Sequence, residues 1–417
     1  MARKKFNIPD IYQSPIIQKV KNANKVMDPT KKDLEPSVLD FGPVRFHVPR
    51  HFGFCYGVEN AIDIAYKTVQ EHPNEDIYLL SEMIHNPTVN EDLQARGVKF
   101  LFETNGTELI PIESLDEDDI VIVPAFGTTI EIQEKLKKQG IDPYEYNTTC
   151  PFVEKVWRRG KQLGKKDYSL VIHGKHRHEE TRATFSHSAD HSECVVVLNP
   201  EEAQILADIL TGDRPKSDFE EYFGHKSTNG FDPEKALEHF GVINQTTMLA
   251  TETEEVMEIL KEAAIEKYGE SNILDHFADT SDTLCYATNE NQSATLALAE
   301  TDSDLAIVVG GYNSSNTMHL VEILEETFPT YHVRDADELD SPTKITHFNQ
   351  WDNELKETQN WLPVDSDEPI DIAITSGASC PDVLVDEVIL EILSYFDGNR
   401  SVEDVIQPFE DELDEVA

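Results

Sequence analysis

Short runs of Val, Ile and Leu recur from residue 44 onward, and longer stretches with apolar positions at helical spacing lie between them. The short runs predict strands at 44–48, 77–80, 120–124, 169–173, 194–198, 240–244, 305–309 and 372–375. The periodic stretches predict helices at 58–69, 130–138, 201–210, 254–267, 314–327 and 381–395. Strands that are each followed by a helix build βαβ units, so the expected class is α/β with mainly parallel sheets. Cys55, Cys150 and Cys285 each stand just before a helical segment, which is compatible with three similar α/β units.

The expected division is an N-terminal extension, 1–42, and a first α/β unit, 43–149. A second unit, 150–284, carries an insertion at 213–238 rich in Gly, Asp, Lys and Ser. A third unit spans 285–397, and an acidic tail, 398–417, is expected to fray. A chain of 417 residues is longer than one core sustains, which agrees with several units.

Charge narrows the partners. The 35 basic and 80 acidic residues give a net charge of −45, which argues against nucleic acid or an anionic membrane as partner. Two readings of this acidity stay open: a solvated, self-repelling surface, or adaptation to a salty interior where screening tolerates the charge. No apolar run reaches the roughly 20 residues of a membrane span. The basic start, Met1 to Lys5, has no apolar stretch behind it, so no secretory signal is expected; Asp10 and Asp28 weaken a transit peptide. Five widely spaced cysteines and no C-x-x-C point to a reducing cytoplasm rather than a disulfide framework.

Three groups of residues carry candidate chemistry. Cys55 lies in Gly53-Phe54-Cys55-Tyr56-Gly57, Cys150 in Asn147-Thr148-Thr149-Cys150-Pro151, and Cys285 in Asp282-Thr283-Leu284-Cys285-Tyr286. Helix N-termini favour thiolate, the form that binds metal. Three thiolates can hold a [4Fe–4S] cluster with one iron left open, whereas four close it. The plain alternative is that these are small buried hydrophobes, as free cysteines commonly are. Cys194 opens a valine run and reads as core; Cys380, at another sheet-to-helix turn, is ambiguous.

The second group is His85-Asn86 and the stretch His173 to Glu180. His173, His176 and His178 could form a zinc site, a satisfied surface loop or an anion pocket; their spacing fits no zinc motif. The third group follows strands: Gln245-Thr246-Thr247, Asn313-Ser314-Ser315-Asn316 and Thr375-Ser376-Gly377-Ala378-Ser379. Hydroxyl and amide donors at strand ends that lead into helices suit a phosphate-bearing ligand, although Ser and Asn are also common caps. Neither G-x-G-x-x-G nor a Walker A motif is present.

Taken in order, Gly53–Val58, Ile84–Pro87, Thr149–Val156, Gln245–Thr247, Cys285–Thr288, Asn313–Asn316 and Gly377–Ser379 resemble the LytB family of hydroxymethylbutenyl diphosphate reductases, also called IspH. The resemblance runs from about Val44 to Tyr395. It implies three α/β units arranged as a trefoil around a central [4Fe–4S] cluster. It also implies reductive dehydroxylation of 4-hydroxy-3-methylbut-2-enyl diphosphate to isopentenyl and dimethylallyl diphosphate, the last step of the methylerythritol phosphate route to isoprenoids. By the same resemblance Cys55, Cys150 and Cys285 match the cluster ligands, with one iron open. His85 and His178 match diphosphate-binding histidines, and Ser314, Ser315, Asn316 and Ser379 match the diphosphate clamp. Glu180 matches the proton-relay carboxylate, and Thr246 the hydroxyl that places the substrate alcohol.

One departure stands out. Phe126, in Pro124-Ala125-Phe126-Gly127-Thr128, occupies the place of a histidine in the better-known bacterial form and cannot donate to phosphate. Together with the extension and the insertion, it resembles the longer variant of plants and cyanobacteria. Rivals are a quinolinate-synthase-like cluster enzyme and a non-catalytic iron–sulfur redox sensor; the donor-rich loops and Glu180 argue against the sensor. The family expectation for the electron donor is a ferredoxin or flavodoxin. Arg158, Arg159, Lys161, Lys165 and Lys166 form a candidate docking patch, or an ordinary solvated helix face.

Overall fold

Sheet registers follow the apolar runs closely. The computed structural model describes residues 6–278, 280, 283–364, 366 and 368–416. Asp282 of the third cysteine motif and the basic start, residues 1–5, lie outside the described residues. The described chain divides into two compact units. One comprises the chain up to Glu59, His85–Thr88 and Tyr286 onward; the other comprises Asn60–Ile84 and Val89–Cys285.

The first unit is built on a seven-stranded sheet in the order Ser37–Asp40, Val44–Val48, Ile370–Ser376, Leu305–Val309, Thr330–Val333, Lys344–Asn349 and Glu354–Gln359. The four strands from Val44–Val48 to Thr330–Val333 run parallel, and antiparallel strands close both edges. The central strands Leu305–Val309 and Ile370–Ser376 are almost wholly buried, as expected for parallel strands covered on both faces.

The second unit holds two four-stranded, all-parallel sheets. One runs Phe277–Ala278, Phe240–Asn244, Ser169–His173, Cys194–Val197; the other runs Lys99–Phe100, Ile77–Leu79, Ile120–Val123, Tyr146–Asn147. The fold class is therefore α/β, with three mainly parallel sheets.

Three expectations about these segments differ from the structure. Val44–Val48, expected to open the first α/β unit at 43, pairs instead with Ile370–Ala373 in the sheet of the last one. The extension enters the core within residues 6–42: helix Ile17–Met27 buries Ile17, Val20 and Ala23, and Ser37–Asp40 is an edge strand. The tail 398–417 forms helix Val402–Val416, whose Val405 and Ile406 enter the same core as Ile16 and Val20. The insertion 213–238 likewise folds onto its unit, burying Phe219, Phe223, Phe231 and Leu237. In the extension and the tail a few apolar residues at helical spacing are set among charges. Burial of that stripe, worth about 25 cal/mol per Å², outweighs the polar average of the segment.

Candidate functional site

In the first unit the Cys55 turn, the His85 segment and two strand ends come together. The turn that carries Cys55 is tied to the end of strand Ile370–Ser376: the Gly53 N–H donates to the Ser376 carbonyl and the Cys55 N–H to the Ala378 carbonyl, both at 3.3 Å. Cys55 is half-buried immediately before helix Tyr56–Glu71. Burial pushes its thiol up, whereas the Val58 and Gly57 N–H groups at the helix start favour the thiolate.

Ser379, in the loop after the same strand, donates to the His85 carbonyl at 3.1 Å and reaches the Ser314 hydroxyl at 3.4 Å. Ser314 caps helix Ser315–Glu325, accepting from the Thr317 N–H. The Asn316 Oδ1 accepts from the Ala378 N–H at 2.8 Å, while its buried Nδ2 has no hydrogen-bond partner. Ser315 is buried in the first turn of that helix. A Cβ on Gly377 would lie 2.0 Å from the Thr317 hydroxyl, so only glycine lets this loop approach the helix so closely. The Asn313 amide lies 3.3 Å from the His85 Nδ1. With the amide donating, Nδ1 accepts and the neutral ring keeps its proton on Nε2. Asn313 belongs to the Asn313–Asn316 motif, and a separation of 228 residues from His85 hides this contact in the sequence. The arrangement is a small polar cage built from helix N-terminal groups, with an orphaned amide donor, and it suits an anionic oxygen.

In the second unit His178, Glu180 and Thr246 are brought together. His178 caps helix Glu179–Ala189: its Nδ1 accepts from the Glu180 N–H at 3.2 Å, so the neutral ring carries its proton on Nε2. The Thr246 N–H donates to the Glu180 Oε1 at 2.6 Å, holding a carboxylate that is only 3% exposed. Gln245 locks this corner, its Oε1 accepting from the Lys175 N–H and the Thr181 hydroxyl. Phe126 packs edge-on against the His178 ring, centroids 6.3 Å apart. Phe126 thus walls one side of the His178 ring.

Cys150 follows the same loop system. Its N–H donates to the Ala125 carbonyl at 2.8 Å, and it stands half-buried at the N-cap of helix Pro151–Gly164. Cys285 is buried just before helix Tyr286–Ala299. Its approach is anchored by the Thr283 hydroxyl, which donates to the Asn244 Oδ1 at the strand end that leads to Thr246.

The zinc alternative finds no geometry. His173 is buried against the Thr253 hydroxyl, His176 meets the His225 ring, and His178 caps a helix. Among the described residues no three His, Cys, Asp or Glu side chains are placed to hold a single metal ion. Cys194 and Cys380 are fully buried in apolar cores, which resolves the ambiguity of Cys380 in favour of packing. Cys55, Cys150 and Cys285 are the candidate thiols for the iron–sulfur group that the resemblance implies. None of the three is in a disulfide, and each directly precedes a helix. That chemistry fits such a group.

An α/β protein with three thiols at helix starts and donor-rich loops at strand ends has the makings of a redox enzyme for an anionic substrate. The chain belongs to the LytB family: the family model described as LytB protein matches residues 47–393. It is 38% identical to the 4-hydroxy-3-methylbut-2-enyl diphosphate reductase of Picosynechococcus sp., over 92% of this chain and 89% of that protein. It is 40% identical to the protein of the same description in Thermosynechococcus vestitus, over 85% of each. A solved structure of a Plasmodium falciparum E-1-hydroxy-2-methyl-but-2-enyl-4-diphosphate reductase shares the fold, with a TM-score of 0.59 at 21% identity over 87% of this chain and 96% of that one.

Proposed function

We propose that this protein reduces 4-hydroxy-3-methylbut-2-enyl diphosphate to isopentenyl and dimethylallyl diphosphate. The allylic C–O bond breaks, two electrons and two protons are taken up, and the hydroxyl leaves as water. The observation that carries the reading is the polar cage of the first unit, where Ser314, Ser379 and Asn316 converge beside His85 around an unpartnered amide donor. Similarity to reductases across nine-tenths of the chain supports the same substrate.

Cys55, Cys150 and Cys285 would hold a [4Fe–4S] cluster. When bound with one iron not held by protein, such a cluster supplies a Lewis acid for the alcohol oxygen and single electrons. The remaining work belongs to the chain. His85 and His178, each with its proton on Nε2, donate to the diphosphate together with Ser314, Ser315, Asn316 and Ser379. This remote binding energy fixes the alcohol for reaction. Glu180 holds the proton that the departing hydroxyl needs, and Thr246 positions that hydroxyl. The test is anaerobic reduction of the substrate by dithionite-reduced methyl viologen with product analysis; absence of both products from a cluster-loaded protein overturns the reading. Asn316→Ala removes one donor and the anchor of Ala378. We expect KM to rise about tenfold or more, in line with ~1–3 kcal/mol for an unpaired buried group, with a smaller change in kcat. A steady-state titration checks it.

The electron donor in this reading is an acidic ferredoxin or flavodoxin. From Lys155 to Lys166 the chain carries six cations and no acid, and Arg158, Lys161, Lys165 and Lys166 are exposed. Against a net charge of −45, a local basic face is where an acidic partner can approach, because screening over about 8 Å lets nearby charge dominate. Three charge reversals, Arg158→Glu, Lys161→Glu and Lys165→Glu, are expected to slow turnover with ferredoxin about tenfold or more at low salt, leaving viologen-driven turnover intact. Equal rates with ferredoxin would leave the patch an ordinary solvated face. The reducing cytoplasm suggested by the five cysteines belongs to this proposal as well. No helix among the described residues is long and apolar enough to cross a membrane.

A further inference from the structure

Residues 6–27 precede the part of the chain that matches the family model, which begins at residue 47. They nevertheless touch the cysteine turn at every second residue. The Phe6 ring meets Tyr56 edge-on at 5.0 Å, and Tyr12 meets Phe54 in the same way at 6.2 Å. The Lys21 ammonium sits 4.2 Å above the Phe52 ring. Phe52, Phe54 and Tyr56 flank Cys55, so one side of the turn is walled by the extension. The other side is tied to the Ser376 and Ala378 carbonyls.

The extension is itself fastened. Helix Ile17–Met27 begins after Ile16, a residue that offers no side-chain cap. Its cap comes from Asp386, on helix Asp382–Ser394: the carboxylate accepts from the Ser14 hydroxyl at 2.6 Å, the Ile16 N–H at 2.9 Å and the Ile17 N–H at 3.0 Å. One turn along both helices, Lys21 pairs with Asp382 at 2.5 Å. That pair presses on the turn: Gly53 has φ +68°, and a Cβ there would lie 2.2 Å from the Asp382 Oδ1 and 2.6 Å from the Lys21 Nζ. Helix Val402–Val416 backs the arrangement, through the Lys19–Glu410 ion pair and the buried Val405 and Ile406.

We propose that the N-terminal extension is a retaining strap that positions the Cys55 turn and screens it from solvent, with Tyr12 and Lys21 as positioning residues that govern how firmly the cluster is held. The proposal rests on Cys55 being a cluster ligand. Contacts that close a segment suppress its local opening, so their loss raises the rate at which the exposed state is visited.

The experiment compares the full-length protein with Tyr12→Ala/Lys21→Met and with Cys55→Ser, after anaerobic reconstitution with iron and sulfide. Bound iron and sulfide, visible absorbance and its decay in air are measured, with far-ultraviolet circular dichroism as a check on folding. The double variant is expected to take up the cluster, to turn over per bound cluster as the unmodified protein does, and to lose the cluster in air about five- to tenfold faster. Decay in air at the unmodified rate overturns the strap. If the double variant does not fold, Lys21→Met alone, which keeps the apolar stem, is read by the same decay and decides in the same way. A Cys55→Ser protein that keeps full iron and sulfide would instead overturn the ligand reading beneath it.

Discussion

Glu180→Gln is expected to fold, bind substrate and hold its cluster, yet to turn over about 10²- to 10⁴-fold more slowly, the range lost with a positioned general acid. Glutamine matches the volume of a side chain that is 3% exposed and keeps an oxygen for the Thr246 N–H, so the corner formed by His178, Glu180 and Thr246 stays intact. The His178 cap survives too, because it takes the backbone N–H of residue 180 rather than its side chain. What disappears is the proton. Anaerobic kinetics with reduced viologen, beside calorimetric substrate binding, separates these effects. Turnover within twofold of the unmodified protein would remove Glu180 from the proton path.

The cysteines should divide three against two. Cys55→Ser, Cys150→Ser and Cys285→Ser are each expected to strip bound iron and to lower turnover beyond the roughly 10- to 100-fold that loss of a supporting outer contact costs. Cys194→Ala and Cys380→Ala should keep both the iron and the turnover. Cys194 lies in the buried strand Cys194–Val197 and Cys380 in the apolar core of the first unit, and burial pushes both thiols far up. Their loss leaves small cavities and a modest fall in thermal stability. Iron and sulfide analysis with a Mössbauer spectrum reads the division directly. A cluster retained without Cys150 or Cys285, or lost without Cys194 or Cys380, would redraw the ligand set.

The strand ends were legible because a parallel strand buried on both faces must be written in Val, Ile and Leu, and such runs break sharply at the loop. Ser169–His173, Phe240–Asn244 and Leu305–Val309 fall where the runs do, as does helix Ile130–Lys138. The extension and the tail were less legible. Ile16, Val20 and Ala23, and likewise Val402, Val405, Ile406 and Phe409, keep helical spacing, but lysines in the first case and carboxylates in the second dominate the composition.

By itself the sequence determined the α/β class, the three cysteines at helix starts and the donor-rich loops, since each depends on residues within a few positions of one another. Tertiary structure alone decided that Val44–Val48 pairs with Ile370–Ala373, that Asn313 and Ser379 hold the His85 segment, and that Asp386 caps a helix some 370 residues away. It also decided that Phe126 leans on His178. The physical reason is common to all four. Local periodicity fixes which face of an element is apolar. The partner for a polar group or an edge is chosen only when distant segments compete for the same buried place, and a chain read in order carries no signal for that choice.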